Sequence, residues 1–130
     1  MNRSNDNNGP YLIFDFDGVI GDTFEAAISA HLQNGKYHTR EDVVGEMQRY
    51  FSTKPHHARD HTLTEEELAQ EYKWVSNFGQ SMLDIGFDLF SNFVGEIERL
   101  DTAYKAVVSS GSQIYVLPSM AKTSIKTTHI

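Results

Sequence analysis

The sequence predicts an α/β fold in which two short parallel strands are separated by a long helical stretch. Four apolar residues at 11–14, with Gly9-Pro10 before them and Gly18 after them, are typical of a strand buried on both faces, as in a parallel sheet. A second apolar strand at 106–108 ends in hydroxyl groups and a glycine. The residues between these strands follow a helical apolar period, and the two patterns together indicate an α/β protein.

Helical periodicity divides the remaining chain into segments. We predict helices at 24–33, 40–51, 64–78, 90–100 and 113–122, with a break at 54–61 around Pro55. The stretch 79–89 is ambiguous, and we expect another short helical piece that is interrupted at Gly86. Thr39 and Thr64 are expected to be N-caps, and Thr64 begins a capping-box pattern. On the helix at 90–100, we expect Phe93, Ile97 and Leu100 to face inward.

The composition limits the classes of function. The chain has a net charge of −7 and no cysteine. The negative charge argues against a broad surface for nucleic acid or anionic membranes, and the lack of cysteine excludes disulfides and thiolate metal sites. The sequence has no apolar run near the ~20 residues that span a bilayer and no signal-peptide pattern, so we expect a soluble cytoplasmic protein. The polar, Asn-rich residues 1–10 are expected to form a flexible leader.

Two carboxylates stand where the first strand is expected to end. Asp15 and Asp17 are two residues apart, so both project to the same side while the backbone stays extended. A pair of anions held together needs a cation or a shared proton, and carboxylates at the carboxyl end of a strand are oxygen ligands for a hard ion such as Mg²⁺. An isolated Asp-x-Asp is also consistent with an ordinary turn, in which each Asp makes local hydrogen bonds.

The string DFDGVIGDT at 15–23 resembles the first motif of the haloacid dehalogenase (HAD) superfamily of phosphatases and phosphomutases. Its departure is Gly21, where the family more often has a larger residue, and we expect this to matter little. The resemblance implies a partial Rossmann-like HAD core of parallel strands, formed by residues 11–23 and 89–130, with an inserted α-helical cap at 24–88. Such a cap closes over the substrate, excludes water and supplies specificity contacts.

The resemblance also implies Mg²⁺-dependent phosphoryl transfer. Asp15 would be the nucleophile that becomes an aspartyl phosphate, and Asp17 would be the general acid and then the base that activates water. Mg²⁺ would be held by the Asp15 carboxylate and by the main-chain carbonyl of Asp17. The implied substrate is a small phosphorylated metabolite, and hydrolysis and transfer to a sugar hydroxyl both stay open as outcomes.

The end of the second strand carries a further resemblance. The segment VVSSGS at 107–112 resembles the family's second motif, in which a Ser or Thr at a strand end contacts the transferred phosphoryl group. Ser109 is the matching position, and the backbone N–H groups of Ser110 and Gly111 are expected to donate to the same phosphate. Without the first motif, the segment is also consistent with a Ser-rich turn that caps the next helix.

The family's third and fourth motifs have no counterpart in this sequence. Those motifs supply a lysine that neutralises the nucleophile and one or two acids that complete the metal site, whereas the residues after Ser112 include no Asp or Glu. Lys122 and Lys126 are expected to lie on a solvated face. Because two strands make a poor independent sheet, we expect a truncated form, or a chain completed by a second copy or another subunit.

Two classes of function therefore stay open. The first is an enzyme of the phosphatase or phosphomutase type, and the second is a non-catalytic remnant that binds Mg²⁺ or phosphate or serves as an interaction surface. A response-regulator receiver is disfavoured, because its carboxylate spacing and continuous α/β alternation are absent. For the histidine cluster His56, His57 and His61, zinc binding is weighed against an exposed polar segment.

Overall fold

The structure is a computed structural model that describes residues 11–52, 62–100 and 104–125. Within these ranges the chain forms a mixed α/β arrangement of five helices and two strands. In chain order the elements are β1 (Tyr11–Phe14), α1 (Phe24–Gln33), α2 (Arg40–Ser52), α3 (Glu65–Ile85), α4 (Ser91–Glu98), β2 (Tyr104–Val107) and α5 (Gln113–Met120). The predicted break at 54–61, the histidine cluster within it and the predicted leader at 1–10 lie outside the described residues.

The two strands pair in parallel, as the α/β prediction requires. Tyr11 is opposite Tyr104 and Phe14 is opposite Val107, and the Val108 N–H donates to the Phe14 carbonyl at 2.9 Å. The strand β2 therefore begins two residues before the apolar run that predicted it. Lys105 interrupts the apolar pattern there, although it is buried within the strand.

The prediction that the first strand is buried on both faces is wrong for this chain. Tyr11 and Ile13 are 68% and 71% exposed, whereas the alternate residues Leu12 and Phe14 are half-buried. The Phe93 ring of α4 contacts the Phe14 ring edge-on, at 6.0 Å between centroids. Since successive side chains of a strand point to opposite faces, one face of β1 is covered and the other is open among the described residues.

The chain divides into two compact units. The first contains residues 1–24 and 87–130, and the second contains residues 25–86. The division expected from the sequence lies close to these bounds, with a core at 11–23 and 89–130 and an insert at 24–88. The role of a cap for the second unit stays a prediction.

The core of the first unit is built by the turn after β1 together with β2, α4 and α5. Its buried apolar side chains are Phe16, Ile20, Val94, Ile97, Val107, Tyr115, Val116, Met120 and Ile125. Helix α4 buries Val94 and Ile97, whereas Phe93 and Leu100 are 40% and 45% exposed. The prediction of an inward-facing side chain is thus confirmed for Ile97 and wrong for Leu100, because the buried stripe of this short helix is the i, i+3 pair at 94 and 97. Phe93 is 40% exposed although its ring contacts Phe14.

In the second unit, helix caps fix where two helices begin. The Thr64 hydroxyl accepts from the Glu67 N–H at 3.1 Å while the Glu67 carboxylate accepts from the Thr64 N–H at 2.9 Å, which confirms the capping box. The Thr39 hydroxyl likewise accepts from the Asp42 N–H at 3.1 Å. Helix α3 continues past the predicted end at 78 and stops at Gly86, whose φ of +78° suits a glycine.

An aromatic cluster lies within the second unit. The His31 ring lies 4.8 Å from the Phe78 ring, 5.6 Å from the Trp74 ring and 5.7 Å from the Tyr37 ring, between centroids. The Lys36 ammonium lies 5.4 Å from the centroid of the Trp74 ring, within cation–π range. Trp74 thus packs with other rings of this unit, which is the ordinary structural role of an aromatic residue.

No helix in the described part of the chain is long and apolar enough to span a membrane.

Candidate functional site

The site begins at a tight turn that follows β1. The Phe16 carbonyl accepts from the N–H groups of Ile20 at 2.9 Å and Gly21 at 3.0 Å, so the chain folds back immediately after the strand. Gly18 has a φ of +76°, a conformation that L side chains rarely adopt. The glycine expected to turn the chain at this position does so.

The ring of Phe16 anchors this turn, since its side chain is fully buried between the exposed Asp15 and the half-buried Asp17. An added Cβ on Gly21 would lie 2.7 Å from Cε1 and 2.9 Å from Cζ of Phe16. Gly21 therefore gives Phe16 the space it occupies. A larger residue at this position would displace the Phe16 ring, and the expectation that the departure from the family motif matters little stays a prediction.

The segment after the turn is held against the segment that precedes α4. The Asp22 N–H donates to the Asp88 carbonyl, and the Phe90 N–H donates to the Ile20 carbonyl, each at 2.8 Å. This pairing fixes the backbone around Thr23, whose side chain is buried. Both partners belong to the first unit, so this contact ties the outgoing and returning chain together within one body.

Three hydroxyl groups surround the Asp17 carboxylate. Thr23 Oγ1 lies 2.9 Å from Asp17 Oδ1, and the Tyr115 hydroxyl lies 3.0 Å from Oδ1 and 3.2 Å from Oδ2. Ser109 Oγ lies 3.4 Å from Oδ2. An ionised carboxylate only accepts hydrogen bonds, so the hydroxyls are the donors in these contacts.

Ser109 comes from the other strand end and is 92 residues away from Asp17 in sequence. The Gly111 N–H donates to Ser109 Oγ at 2.9 Å, which leaves the Ser109 proton available to Asp17. Ser112 rather than Ser109 caps α5, since its side chain accepts from the Ile114 N–H. The Gly111 N–H is thus directed to the Ser109 hydroxyl, and Ser110 is exposed. The expected contacts of these two N–H groups with a phosphate stay a prediction.

Asp15 is placed differently from Asp17. Its side chain is exposed, and its Oδ1 accepts from the Phe16 N–H at 2.7 Å. This local hydrogen bond is of the kind that an Asp makes at a turn. The Asp15 charge nevertheless acts on Tyr115, as described next, so both carboxylates influence the same end of the sheet.

Tyr115 is the functional candidate that the sequence did not reveal. Burial is the main cause that raises the pKa of Tyr115 well above its usual range, and the charge of Asp17, the hydrogen bond to Asp17 and the charge of Asp15 raise it further. Its hydroxyl is therefore protonated near neutral pH and acts as a donor. On α5 this residue occupies an ordinary core position, and the sequence has no motif that links it to Asp17. Thr23, in contrast, ends the first motif itself.

The atoms available to bind a divalent cation at this site are oxygens. The described residues include no group of three or more His, Asp or Glu side chains placed to hold a metal ion. The Asp17 carboxylate oxygens are already occupied by hydroxyl donors, which leaves the exposed Asp15 carboxylate and main-chain carbonyls as the ligands available at this end of the sheet. Such oxygens fit the preference of Mg²⁺, which keeps several waters and takes few protein ligands. Lys122 is exposed, as expected, and Lys126 lies outside the described residues.

Comparison with known proteins adds no relative to this picture. No protein-family model matches the chain, and no curated protein and no solved structure matches it either.

Proposed function

We propose that this chain is the part of a Mg²⁺-dependent phosphoryl-transfer hydrolase that contains the nucleophile. The enzyme is proposed to be a phosphatase that acts on a small phosphorylated metabolite through an aspartyl phosphate. The proposal rests on the resemblance of the two motifs to those of the HAD superfamily. The observation that supports it best is the 3.4 Å separation of Ser109 Oγ and Asp17 Oδ2, which meet across 92 residues where two parallel strands end. Ligand sites of open α/β sheets lie at that edge.

The exposure of Asp15 suits a nucleophile. In the proposed first step an Asp15 oxygen attacks phosphorus and the bond from phosphorus to the leaving oxygen breaks. Asp17, which must first take up a proton in place of one of its hydroxyl donors, gives that proton to the leaving oxygen. In the second step Asp17 takes a proton from water, whose oxygen attacks phosphorus and releases phosphate from Asp15. The Ser109 hydroxyl is proposed to donate to a phosphate oxygen in both steps.

The oxygens of Asp15 and the main-chain carbonyl of Asp17 are the proposed ligands of Mg²⁺. When bound, the ion would draw negative charge from the phosphate and reduce its repulsion with the Asp15 carboxylate. The resemblance also implies a lysine and further acids that the residues after Ser112 do not supply. The proposal includes a longer form of the chain, or another subunit, that provides these groups.

A second candidate function is a non-catalytic module that binds a partner. The open face of the sheet favours it, because Tyr11, Ile13 and Val108 are all more than half exposed. Exposed apolar patches of this kind often mark interaction surfaces. In this reading a second copy of the chain or a completing subunit covers β1 and β2.

Hydrolysis of p-nitrophenyl phosphate with and without Mg²⁺ separates the two candidates. We expect Mg²⁺-dependent turnover that Asp15→Asn abolishes and that Glu96→Gln retains. Glu96 is a matched control, since it is an exposed carboxylate of the same unit that pairs with Arg99 on the surface of α4. Turnover that survives Asp15→Asn would contradict the proposed nucleophile.

Binding of inorganic phosphate, measured by titration calorimetry with Mg²⁺ present, serves where turnover is absent. We expect binding that weakens in Ser109→Ala and is unchanged in Glu96→Gln. If the chain neither hydrolyses the ester nor binds phosphate, the partner-binding module is favoured. Light scattering of the purified chain then tests for an assembly larger than one copy.

A further inference from the structure

The hydroxyl of Tyr115 contacts both oxygens of one carboxylate. It lies 3.0 Å from Asp17 Oδ1 and 3.2 Å from Oδ2, so a single proton is shared between the two acceptors. A donor placed between both oxygens resists rotation of the carboxylate about its Cβ–Cγ bond, which is otherwise a soft torsion. The two other hydroxyls each contact only one oxygen, Thr23 at Oδ1 and Ser109 at Oδ2.

The ring that carries this hydroxyl is itself fixed. The Tyr115 side chain is buried, and its ring packs at 6.2 Å from the Phe16 ring and at 5.9 Å from the Phe87 ring, the latter edge-on. Phe16 is the residue between the two site carboxylates, so the same ring anchors the turn and supports the tyrosine. A rigid aromatic arm delivers its hydroxyl with little loss of side-chain entropy on forming the hydrogen bond.

The backbone opposite the hydroxyl leaves room for this contact. An added Cβ on Gly111 would lie 2.8 Å from Asp17 Oδ2 and would overlap the Tyr115 hydroxyl. Gly111 does not have a positive φ, so the need for glycine here comes from the close approach and not from the backbone conformation. The chain thus has a glycine at the one point where a side chain would separate Tyr115 from Asp17.

We infer that Tyr115 is a positioning residue that holds the Asp17 carboxylate in the orientation in which Oδ2 faces Ser109. The inference rests on the proposed function, because Asp17 is there the group that carries the proton to and from the reacting oxygen. Tyr115 acts through Asp17 and does not exchange its own proton with the substrate. Its contribution is therefore to the proton-transfer step and not to substrate binding.

This role predicts a dependence on the leaving group. An alkyl phosphate needs the proton from Asp17 because an alkoxide is a poor leaving group, whereas p-nitrophenolate departs without one. General acid catalysis contributes about 10²- to 10⁴-fold to such reactions. A misaligned acid forfeits part of that factor with the alkyl ester and little of it with the nitrophenyl ester.

The test compares Tyr115→Phe with the unaltered chain on ethyl phosphate and on p-nitrophenyl phosphate, with Mg²⁺ present. We expect kcat/KM, which reports the steps up to the aspartyl phosphate and so leaves out the role of Asp17 as the base, to fall about tenfold or more on ethyl phosphate and less than about threefold on the nitrophenyl ester. Asp17→Asn should show the same preference with larger losses. Tyr11→Phe, which removes a tyrosine hydroxyl from an exposed ring of the same unit, should leave both rates unchanged. Equal losses on the two esters in Tyr115→Phe would overturn the inference and indicate a purely structural tyrosine.

A second readout does not depend on turnover and separates failure of the inference from failure of the proposed function. The carboxyl carbons of ¹³C-labelled aspartates are followed by NMR, and the Asp17 signal is identified by its loss in Asp17→Asn. We expect that signal to move in Tyr115→Phe and to stay in place in Tyr11→Phe, while circular dichroism shows that both variants fold. An unmoved Asp17 signal would overturn the inference even in an active enzyme. A moved signal in a chain without hydrolysis would support the contact between Tyr115 and Asp17 and count against phosphatase activity of this chain by itself.

Discussion

The two units differ in how the polar atoms inside them are hydrogen-bonded. In the first unit the Asp17 carboxylate is contacted by three hydroxyl groups, from Thr23, Ser109 and Tyr115. In the second unit His31 Nδ1 and Trp74 Nε1 are buried and have no hydrogen-bond partner among the residues that the structure describes. Both sites are lined with aromatic rings, so the difference lies in the donors and acceptors and not in the apolar packing.

The difference shows which kind of polar group each unit is able to bury. A charged group withdrawn from water must be hydrogen-bonded, and the donors around Asp17 meet that need. A neutral imidazole and an indole lose less on burial, so the aromatic cluster can contain them without partners at a moderate cost. The first unit is therefore arranged around a carboxylate, whereas the aromatic cluster of the second unit buries neutral polar atoms.

Closing the space beside Asp17 should produce the largest effect. In Gly111→Ala the new Cβ would lie 2.8 Å from Asp17 Oδ2, so the carboxylate and Tyr115 must shift apart. We expect a loss of about 1–3 kcal/mol in the free energy of unfolding, as for other overpacked sites. Urea denaturation measures it, and Ser110→Ala is the matched control because Ser110 is the exposed neighbour. Equal stability of the two variants would show that the close approach is not needed.

Removing one hydrogen-bond donor from Asp17 should lower the free energy of unfolding by less than the largest loss expected for Gly111→Ala. Thr23→Val keeps the shape of a buried side chain but deletes the hydroxyl that lies 2.9 Å from Oδ1. Hydrogen bonds to charged groups contribute about 1.5–3 kcal/mol, and the two remaining hydroxyls should reduce the loss to about 1.5 kcal/mol. Thr23→Ser retains the hydroxyl and should preserve most of the stability. A Thr23→Val protein that unfolds at the same urea concentration as the original would mean that this bond contributes nothing.

The sequence predicts those features that depend on local pattern. Helix α1 occupies the predicted 24–33, and Thr64 begins α3 through the predicted capping box. The approach of Ser109 to Asp17 also follows from simple geometry, because the carboxyl ends of adjacent parallel strands meet at one edge. Residue type and spacing are sufficient for such features.

Features that depend on tertiary packing are not predictable from the sequence. Tyr115 looks like an ordinary core residue of α5, and only the packing of that helix against Phe16 brings its hydroxyl to Asp17. An apolar run identifies β1 as a strand but does not say how many of its faces are covered, so the exposure of Ile13 was not predictable. The sequence predicts a helical piece that is interrupted at Gly86 but not that it continues α3 without a break, because Gly79 is a weak helix former that is nevertheless buried within the helix.

The aromatic cluster should have a smaller effect on stability, and this effect should depend on pH. Burial, followed by the charge of Lys36, lowers the pKa of His31 below its ordinary value of 6.5. The unfolded chain therefore takes up a proton at this residue before the folded chain does, so the stability contributed above about pH 6.5 is lost progressively as the pH falls toward the lowered folded value. Thermal unfolding measured across this range should show a falling midpoint for the original chain and a flatter dependence for His31→Phe, which keeps a ring in the cluster. His38→Phe is the matched control, since it removes an exposed imidazole and should leave the slope of the original chain. Identical slopes for His31→Phe and the original chain would mean that this imidazole takes up its proton equally in the folded and unfolded chain, and the contrast with Asp17 would then fail.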